Sequence, residues 1–437
     1  MNEMASTTAY REAINYLSTF QFHGFKLGIE RIEAISEALG TPHEKYPCIH
    51  VAGTNGKGSV CAFLESILTR SGLKVGLYTS PHLFRLEERF RVGGSNITPE
   101  RLSQLIMKIR KLVEAGYELS YFEYTTAISM LWFAEEGVDI AIFETGLGGR
   151  LDATNIVRPM ISVITNVSLE HQAFLGPTIG DIAGEKAGII KEGGLVVTAA
   201  CHPDAQSVIE ARAREAGARL FILGKDFHFH SKGCRNMDFG GHGLFLEDLS
   251  IGLIGAHQME NASLALMTCN LLRDCFNLSI TDDAIRNGLE SVNWPGRGEV
   301  RSTSRGTVLF DGAHNEAGIK ALDDLLEVLD TGTGFSHMLL LWAMSDEGGD
   351  KDYVSLLRLI GDRFHEIIVT EPPGPRRPVT IEQWRQTSPA LNIQYEKMWD
   401  QALSKALSLM KQDSLLVVAG SLYLVGACRE LIDKISS

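Results

Sequence analysis

The run V-A-G-T-N-G-K-G-S, Val51 to Ser59, constrains the fold more than any other stretch of this chain. A short apolar segment, Cys48 to Ala52, leads into it, and a helical pattern, Val60 to Ser71, follows. Strand, glycine loop and helix in that order predict a loop whose backbone N–H groups, with the positive end of the helix, form a site for phosphate oxygens. Lys57 adds a mobile point charge for the β- and γ-phosphates, and Ser59 offers a hydroxyl to a magnesium ion. In the common phosphate-loop pattern, Ser or Thr follows the lysine directly. Here Gly58 follows it, and the hydroxyl comes one place later. A stray glycine-rich turn is the bland alternative. The lysine, the hydroxyl and the strand–helix context together favour ATP as the ligand.

A chain of 437 residues has room for about two or three domains. With 44% hydrophobic and 22% charged residues it reads as a soluble globular protein. Its 41 basic and 54 acidic residues give a net charge of −13, which argues against a nucleic-acid groove. An anionic substrate remains compatible where cations cluster locally. Cys48, Cys61, Cys201, Cys234, Cys269, Cys275 and Cys428 are odd in number and contain no Cys-x-x-Cys pair. That spacing speaks against both a metal knuckle and a disulfide framework, and fits a reduced cytoplasm. The polar start, Met1 to Arg11, lacks the apolar core of a signal peptide, and no apolar run approaches the length of a membrane span.

Strand-length apolar runs alternate with helical patterns. Strands are expected at Cys48–Ala52, Val75–Thr79, Val138–Glu144, Ile161–Val167, Leu195–Ala199 and Arg219–Leu223. Helices are expected between them, as at Pro99–Ala115 and Glu123–Glu136. This alternation predicts a parallel sheet covered on both faces. Small antiparallel strands are expected within Asp226–Ile254, then helices at Gln258–Phe276 and Thr281–Val292. The segment W-P-G-R-G-E, Trp294 to Glu299, reads as a hinge or linker. Beyond it the alternation restarts, through strands Thr307–Phe310, Met338–Trp342, Glu366–Thr370 and Leu415–Ala419, as a smaller α/β domain.

In open parallel sheets functional groups gather at the carboxyl ends of strands. Glu144, directly after an apolar strand, is the best carboxylate for a magnesium ion, which wants hard oxygen ligands. Ser80 could add a hydroxyl, or simply cap the turn before Pro81. His171 could be a second metal ligand, a phosphate contact or neither. Lys186, expected just after a short helix at Ile179–Gly184, could hold negative charge in place or be a solvated surface cation. Asp311 at a strand end suits ribose hydroxyls, and His314 near a helix start suits phosphate. Both also fit ordinary turn and cap chemistry. Arg297 could reach a phosphate, with a surface arginine as the alternative.

Taken together and in order, these runs resemble the folylpolyglutamate synthase/dihydrofolate synthase family, a branch of the ATP-dependent Mur ligases. The matching runs are K-L-G-I-E-R-I at Lys26–Ile32, H-V-A-G-T-N-G-K-G-S at His50–Ser59, Y-T-S-P-H-L at Tyr78–Leu83 and E-T-G-L-G-G-R-L-D-A-T-N at Glu144–Asn155. They continue with E-K-A-G-I at Glu185–Ile189, H-Q-M-E-N-A at His257–Ala262, W-P-G-R at Trp294–Arg297, D-G-A-H-N at Asp311–Asn315 and G-S-L-Y-L-V-G at Gly420–Gly426. The resemblance spans nearly the whole chain, and Glu144–Asn155 is its most specific run.

The resemblance implies an α/β fold: a large, doubly wound N-terminal ATPase domain of the P-loop type over residues 1–295, and a smaller Rossmann-like C-terminal domain over 296–437, with the active site in the cleft. It implies that Asn55, Gly56, Lys57, Gly58 and Ser59 hold the ATP phosphates, and that Asn261, Arg297, Asp311 and His314 also contact ATP. Ser80, Glu144 and His171 would bind Mg2+. Lys186 would carry a carbamate. Leu27, Gly28, Ile29, Ser120, Tyr121, Phe122, Glu123, Leu151, Asp152 and Ala153 match the pteroate-binding segments. Two departures stand out. Leu169-Glu170-His171 has Glu where Asp before the His is usual, a change that keeps the charge. Ser345–Asp352 expands a short Asp-Lys-Asp turn, so Lys351 is given no role.

The implied reaction transfers the γ-phosphoryl of ATP to a carboxylate, and the amine of L-glutamate then displaces phosphate from the acyl phosphate. The acceptor would be dihydropteroate, a tetrahydrofolate, or both, in a cytoplasmic, monomeric enzyme of folate metabolism with no nucleic-acid or membrane partner. Two alternatives are a ligase of cell-wall peptide precursors, against which the Glu144–Asn155 run speaks, and a nucleotide-binding module that ligates nothing.

Overall fold

The computed structural model describes residues 2–23, 28–346, 351–387 and 392–436. The chain divides into two compact units. The first comprises Met1–Lys232, Asn236–Ile251 and Met259–Val292; the second comprises Gly233–Arg235, Gly252–Gln258 and Asn293–Ser437. No helix among the described residues is long and apolar enough to cross a membrane.

The first unit is built on strands β1 (Cys48–Ala52), β2 (Val75–Tyr78), β3 (Phe90–Val92), β4 (Ser95–Asn96), β5 (Ile140–Glu144), β6 (Ile161–Ile164), β7 (Leu195–Thr198) and β8 (Arg219–Ile222). They form one sheet in the order β4-β3-β2-β5-β1-β6-β7-β8. The six strands from β2 to β8 run parallel, with register pairs such as Val51↔Glu144 and Val51↔Val163. Every residue of β1, β5 and β6 is buried, which is why these strands read as continuous apolar runs rather than alternating ones. The helix Tyr121–Glu136 covers one part of this sheet and is itself apolar on nearly all sides. Gly76 on β2 lets it approach, since a methyl group there would sit 2.9 Å from the Phe133 ring.

A small antiparallel sheet, β9 (Phe227–Ser231), β10 (Asn236–Gly241) and β11 (Leu244–Ser250), completes the strands of this unit. The second unit carries β12 (Glu299–Thr303), β13 (Gly306–Phe310), β14 (His337–Trp342), β15 (Glu366–Val369), β16 (Ile393–Tyr395) and β17 (Ser414–Ala419). Their order is β12-β13-β17-β14-β15-β16, parallel except for the β12–β13 pair. Its core gathers Leu309, Leu322, Leu326, Leu340, Trp342, Leu357, Trp384 and Val417.

The α/β class and the alternation of elements follow the sequence expectation closely, and β1 has the expected bounds. Three local readings change. The first sheet is not wholly parallel, because β3 and β4 add an antiparallel edge; strands of three and two residues are too short to leave a period-two signal. The segment Trp294–Glu299 is not all linker, since β12 begins at Glu299 and pairs with β13. Lys186 does not follow its helix but lies within it, Ile179–Ala187, where the last turn is buried.

Candidate active site

The loop after β1 is built by contacts from β6. Thr54 N–H donates to the Asn166 carbonyl (3.0 Å), and Asn55 N–H donates to Asn166 Oδ1 (2.8 Å). Thr165 Oγ1 donates to the Asn55 carbonyl (2.6 Å). Two glycines make this approach possible. A methyl group at Gly53 (φ +154°) would lie 1.8 Å from Thr165 Oγ1, and one at Gly56 (φ +83°) would lie 2.3 Å from Asn261 Oδ1. The helix Lys57–Arg70 starts directly after, so Gly58 and Ser59 lie in its first turn and their N–H groups have no partner inside the helix. Lys57 Nζ donates to the carbonyls of Gly53 (3.0 Å) and Thr54 (3.1 Å), which holds the ammonium over the loop. Thr165 and Asn166 were given no role by the sequence reading. A Thr-Asn pair at a strand end was the available signal.

Parallel neighbours β2, β5, β1 and β6 end on one rim, so the loops after them lie side by side. Glu144, the last residue of β5, is buried, and its Oε2 accepts the Ser80 N–H (3.0 Å). This brings Ser80 and Glu144 together beside the phosphate loop. His171 takes a left-handed conformation (φ +51°) on the loop after β6 and is exposed. Among the described residues no group of three or more His, Cys, Asp and Glu is placed to hold a metal ion. A cation here would draw on the Ser80 hydroxyl, the Glu144 carboxylate and oxygens of phosphate and water, which suit magnesium, with the His171 imidazole as the further donor the resemblance implies.

Lys186 is 3% exposed. Burial, reinforced by the charge of Lys57 and partly opposed by Glu170, brings its pKa down from 10.5 to about 7. The position read as a possible surface cation is thus a buried amine electrostatically coupled to the phosphate-loop lysine. His82, in the loop after β2, is held neutral, with its pKa lowered to about 3 by burial and by Arg89. Arg89 Nε donates to His82 Nδ1 (2.9 Å), and its guanidinium lies 5.5 Å from the centre of the Tyr121 ring.

Of the pteroate-segment residues, Leu27 lies outside the described residues, Gly28 is buried and Ile29 packs on the core. Ser120 and Glu123 form a capping box at the start of the Tyr121–Glu136 helix, and Arg31 pairs with Glu123 at 2.9 Å. The Phe122 ring lies over Gly146, where a methyl group would meet it at 2.5 Å. Asp152 is buried and spends both oxygens on its own loop. Oδ2 accepts the N–H groups of Gly146 and Leu147 (2.9 Å each), and Oδ1 accepts from Thr154 N (3.0 Å) and the Thr154 hydroxyl. Burial still raises its pKa. Asp152 therefore shapes the Gly146–Thr154 loop, with Ala153 buried and Leu151 half-buried beside it.

Asn261, on the helix Ala256–Phe276, belongs to the first unit and touches the phosphate loop through Gly56. Arg297, Asp311 and His314 belong to the second. Asp311, just past β13, accepts the N–H groups of Gly298 and Ala313 (2.8 Å each), and His314 Nδ1 donates to the Gly312 carbonyl (2.7 Å). Arg297 Nη1 lies so close to Gly312 that a methyl group there would sit 2.6 Å from it.

Comparison with known proteins finds similarity along nearly the whole chain. Residues 51–269 match the Mur ligase middle domain, and residues 296–422 match the Mur ligase, glutamate ligase domain. The chain is 34% identical to the dihydrofolate synthase/folylpolyglutamate synthase of Bacillus subtilis, over 97% of this chain and 99% of that one. Among solved structures it is similar to Escherichia coli FolC in complex with DHPP and ADP (TM-score 0.86, 31% identity, 97% of this chain and 98% of that one). It is likewise similar to the Mycobacterium tuberculosis folylpolyglutamate synthase complexed with ADP (TM-score 0.87, 30% identity, 98% of each chain).

Proposed function

The chain belongs to the folylpolyglutamate synthase/dihydrofolate synthase family of Mur ligases, and on that premise we propose that it joins L-glutamate to the carboxylate of folate-type acceptors at the expense of ATP. The observation that carries this reading is the first-unit rim: a phosphate loop with Lys57 at its helix start, buried Glu144 paired with Ser80 beside it, and Lys186 within reach of the charge of Lys57.

Phosphoryl transfer needs positioning and charge neutralisation more than it needs a covalent nucleophile. The amides of Gly56 to Ser59 and the Lys57 ammonium would hold the β- and γ-phosphates, with Asn55 and Asn261 beside them. Ser80, Glu144 and His171 would hold Mg2+, which would supply positive charge to the phosphates. Arg297, Asp311 and His314 would contact the nucleotide from the second unit. The Phe122 face and the Leu151–Ala153 loop would receive the pterin of the acceptor, with Tyr121 and the Glu123 cap setting the start of that helix. The acceptor carboxylate attacks the γ-phosphorus, ADP leaves, and the glutamate amine then attacks the acyl carbon and expels phosphate.

Lys186 would be the carbamate site. At a pKa near 7 much of the amine is neutral at physiological pH and able to attack CO2, losing one proton as the carbamate anion forms. That replaces a cation repelled by Lys57 with an anion that Lys57 attracts. The enzyme would act on both dihydropteroate and tetrahydrofolate, as a monomer.

The test supplies each acceptor with glutamate and MgATP and follows ADP. Acceptor-dependent ADP with both is the expected result. No acceptor-dependent ADP with either one would remove the assignment.

A further inference from the structure

Arg297 sits in a Gly-Arg-Gly turn whose two glycines both adopt left-handed conformations, Gly296 at φ +72° and Gly298 at φ +62°. Each flanking N–H is held by a different carboxylate. Gly298 N–H donates to Asp311 Oδ2 (2.8 Å), and Gly296 N–H donates to Glu299 Oε2 (2.9 Å). The Gly296 carbonyl accepts in turn from Gly312 N–H (2.9 Å).

Glu299 is itself anchored from outside the turn. Its Oε1 accepts from Arg301 Nε (2.7 Å), and both its oxygens lie 3.0 Å from Arg429 Nε. Arg301 and Arg429 also pair with Asp433 on the C-terminal helix Leu422–Ser436, at 3.2 and 3.5 Å. The turn is thereby tied to a helix about 130 residues away in sequence.

We infer that Glu299 is a positioning residue for the ligation reaction, setting the direction of Arg297 through the backbone of Gly296. This rests on the reading of Arg297 as a nucleotide contact. Burial alone would raise the Glu299 pKa, but the Gly296 N–H, Arg301 and Arg429 outweigh it and hold the carboxyl below its ordinary value. The group stays charged throughout the working range of pH, as a fixed clamp must.

The experiment is a double-mutant cycle on the full chain with tetrahydrofolate and glutamate, varying MgATP, with melting temperature recorded in parallel. R297A should raise the KM for ATP roughly tenfold or more, and E299A should do nearly the same, because a small misplacement of a charged contact is that costly. E299Q should recover only part of the loss, since its one amide oxygen can still accept from Gly296 while its NH2 group meets the donors of Arg301 and Arg429. In R297A/E299A the kinetic effect of E299A should vanish while its cost in melting temperature remains. Should E299A fail to fold, Arg429→Met replaces it in the cycle, with a smaller KM rise that again vanishes beside R297A. Full additivity, or a wild-type KM in E299A, overturns the inference and leaves the role of Arg297 standing. A wild-type KM in R297A overturns that role and the inference with it.

Discussion

Lys186 and Glu299 are both charged side chains taken out of water beside proposed nucleotide contacts, one in each unit. Burial dominates at Lys186, and its pKa falls toward the range where the group changes state. At Glu299 a backbone N–H and two guanidinium groups overcome burial, and the charge is locked. Asp311 likewise accepts two backbone N–H groups, those of Gly298 and Ala313. The lesson is one of partners. A buried charge without sufficient compensation becomes chemically labile, whereas one saturated with donors becomes scaffolding. The first-unit rim thus holds a group that can be converted, and the second-unit rim holds groups that fix a turn.

The largest effect that would sharpen this contrast is expected at Lys57. Lys57→Ala should lower turnover by about a thousandfold or more, as loss of a preorganised charge at a transferring phosphoryl group does. A rate within tenfold of wild type, measured as ADP release under saturating substrates, would break the division of roles between the rims.

Gly53→Ala comes next. Its φ of +154° and the 1.8 Å approach of Thr165 Oγ1 leave no place for a methyl group. Urea denaturation should show a loss of about 2 kcal/mol or more. An unchanged midpoint would mean that the β1 and β6 loops are not locked together as described.

The smallest effect is in the pH dependence of stability, where both groups should make stability rise with pH but in separate windows, Lys186 above neutrality and Glu299 in acid. The folded pKa of Lys186, about 7, lies below its ordinary 10.5, so between these values the unfolded chain binds more protons. Stability from this group therefore rises as pH goes from 7 to 10.5, and Lys186→Met should remove that slope in bicarbonate-free buffer. Glu299 lies below its ordinary 4.5, so its stabilisation is complete above that pH and is lost as pH falls through the folded value. Glu299→Gln should flatten only that acid limb. Melting curves across pH check both, and a slope above pH 7 that survives Lys186→Met, or an acid limb that survives Glu299→Gln, would refute the comparison.

Much of this was legible in the chain itself. The bounds of β1, the phosphate loop and the strand-end position of Glu144 follow from local pattern, because a buried parallel strand is apolar over most of its length and an anion-binding turn is rich in glycine. The edge strands β3 and β4 were not legible, since so few residues carry no periodicity. Nor was the work of Asp152, which looked like a substrate contact by resemblance and holds four donors of its own loop. Glu299 passed as the last residue of a linker, because the arginine that anchors it lies on the C-terminal helix.

The amino-acid sequence by itself determined the order of strands and helices and the glycine turn that presents amides and Lys57, for these depend on neighbours only a few residues away. Only the tertiary structure decided which charged groups are reactive and which are braces. Desolvation and hydrogen bonding are set by segments distant in the chain. Lys186 owes its lowered pKa to burial and to Lys57, and Glu299 owes its fixed charge to the Gly296 N–H and Arg301, reinforced by Arg429 from the far end of the chain.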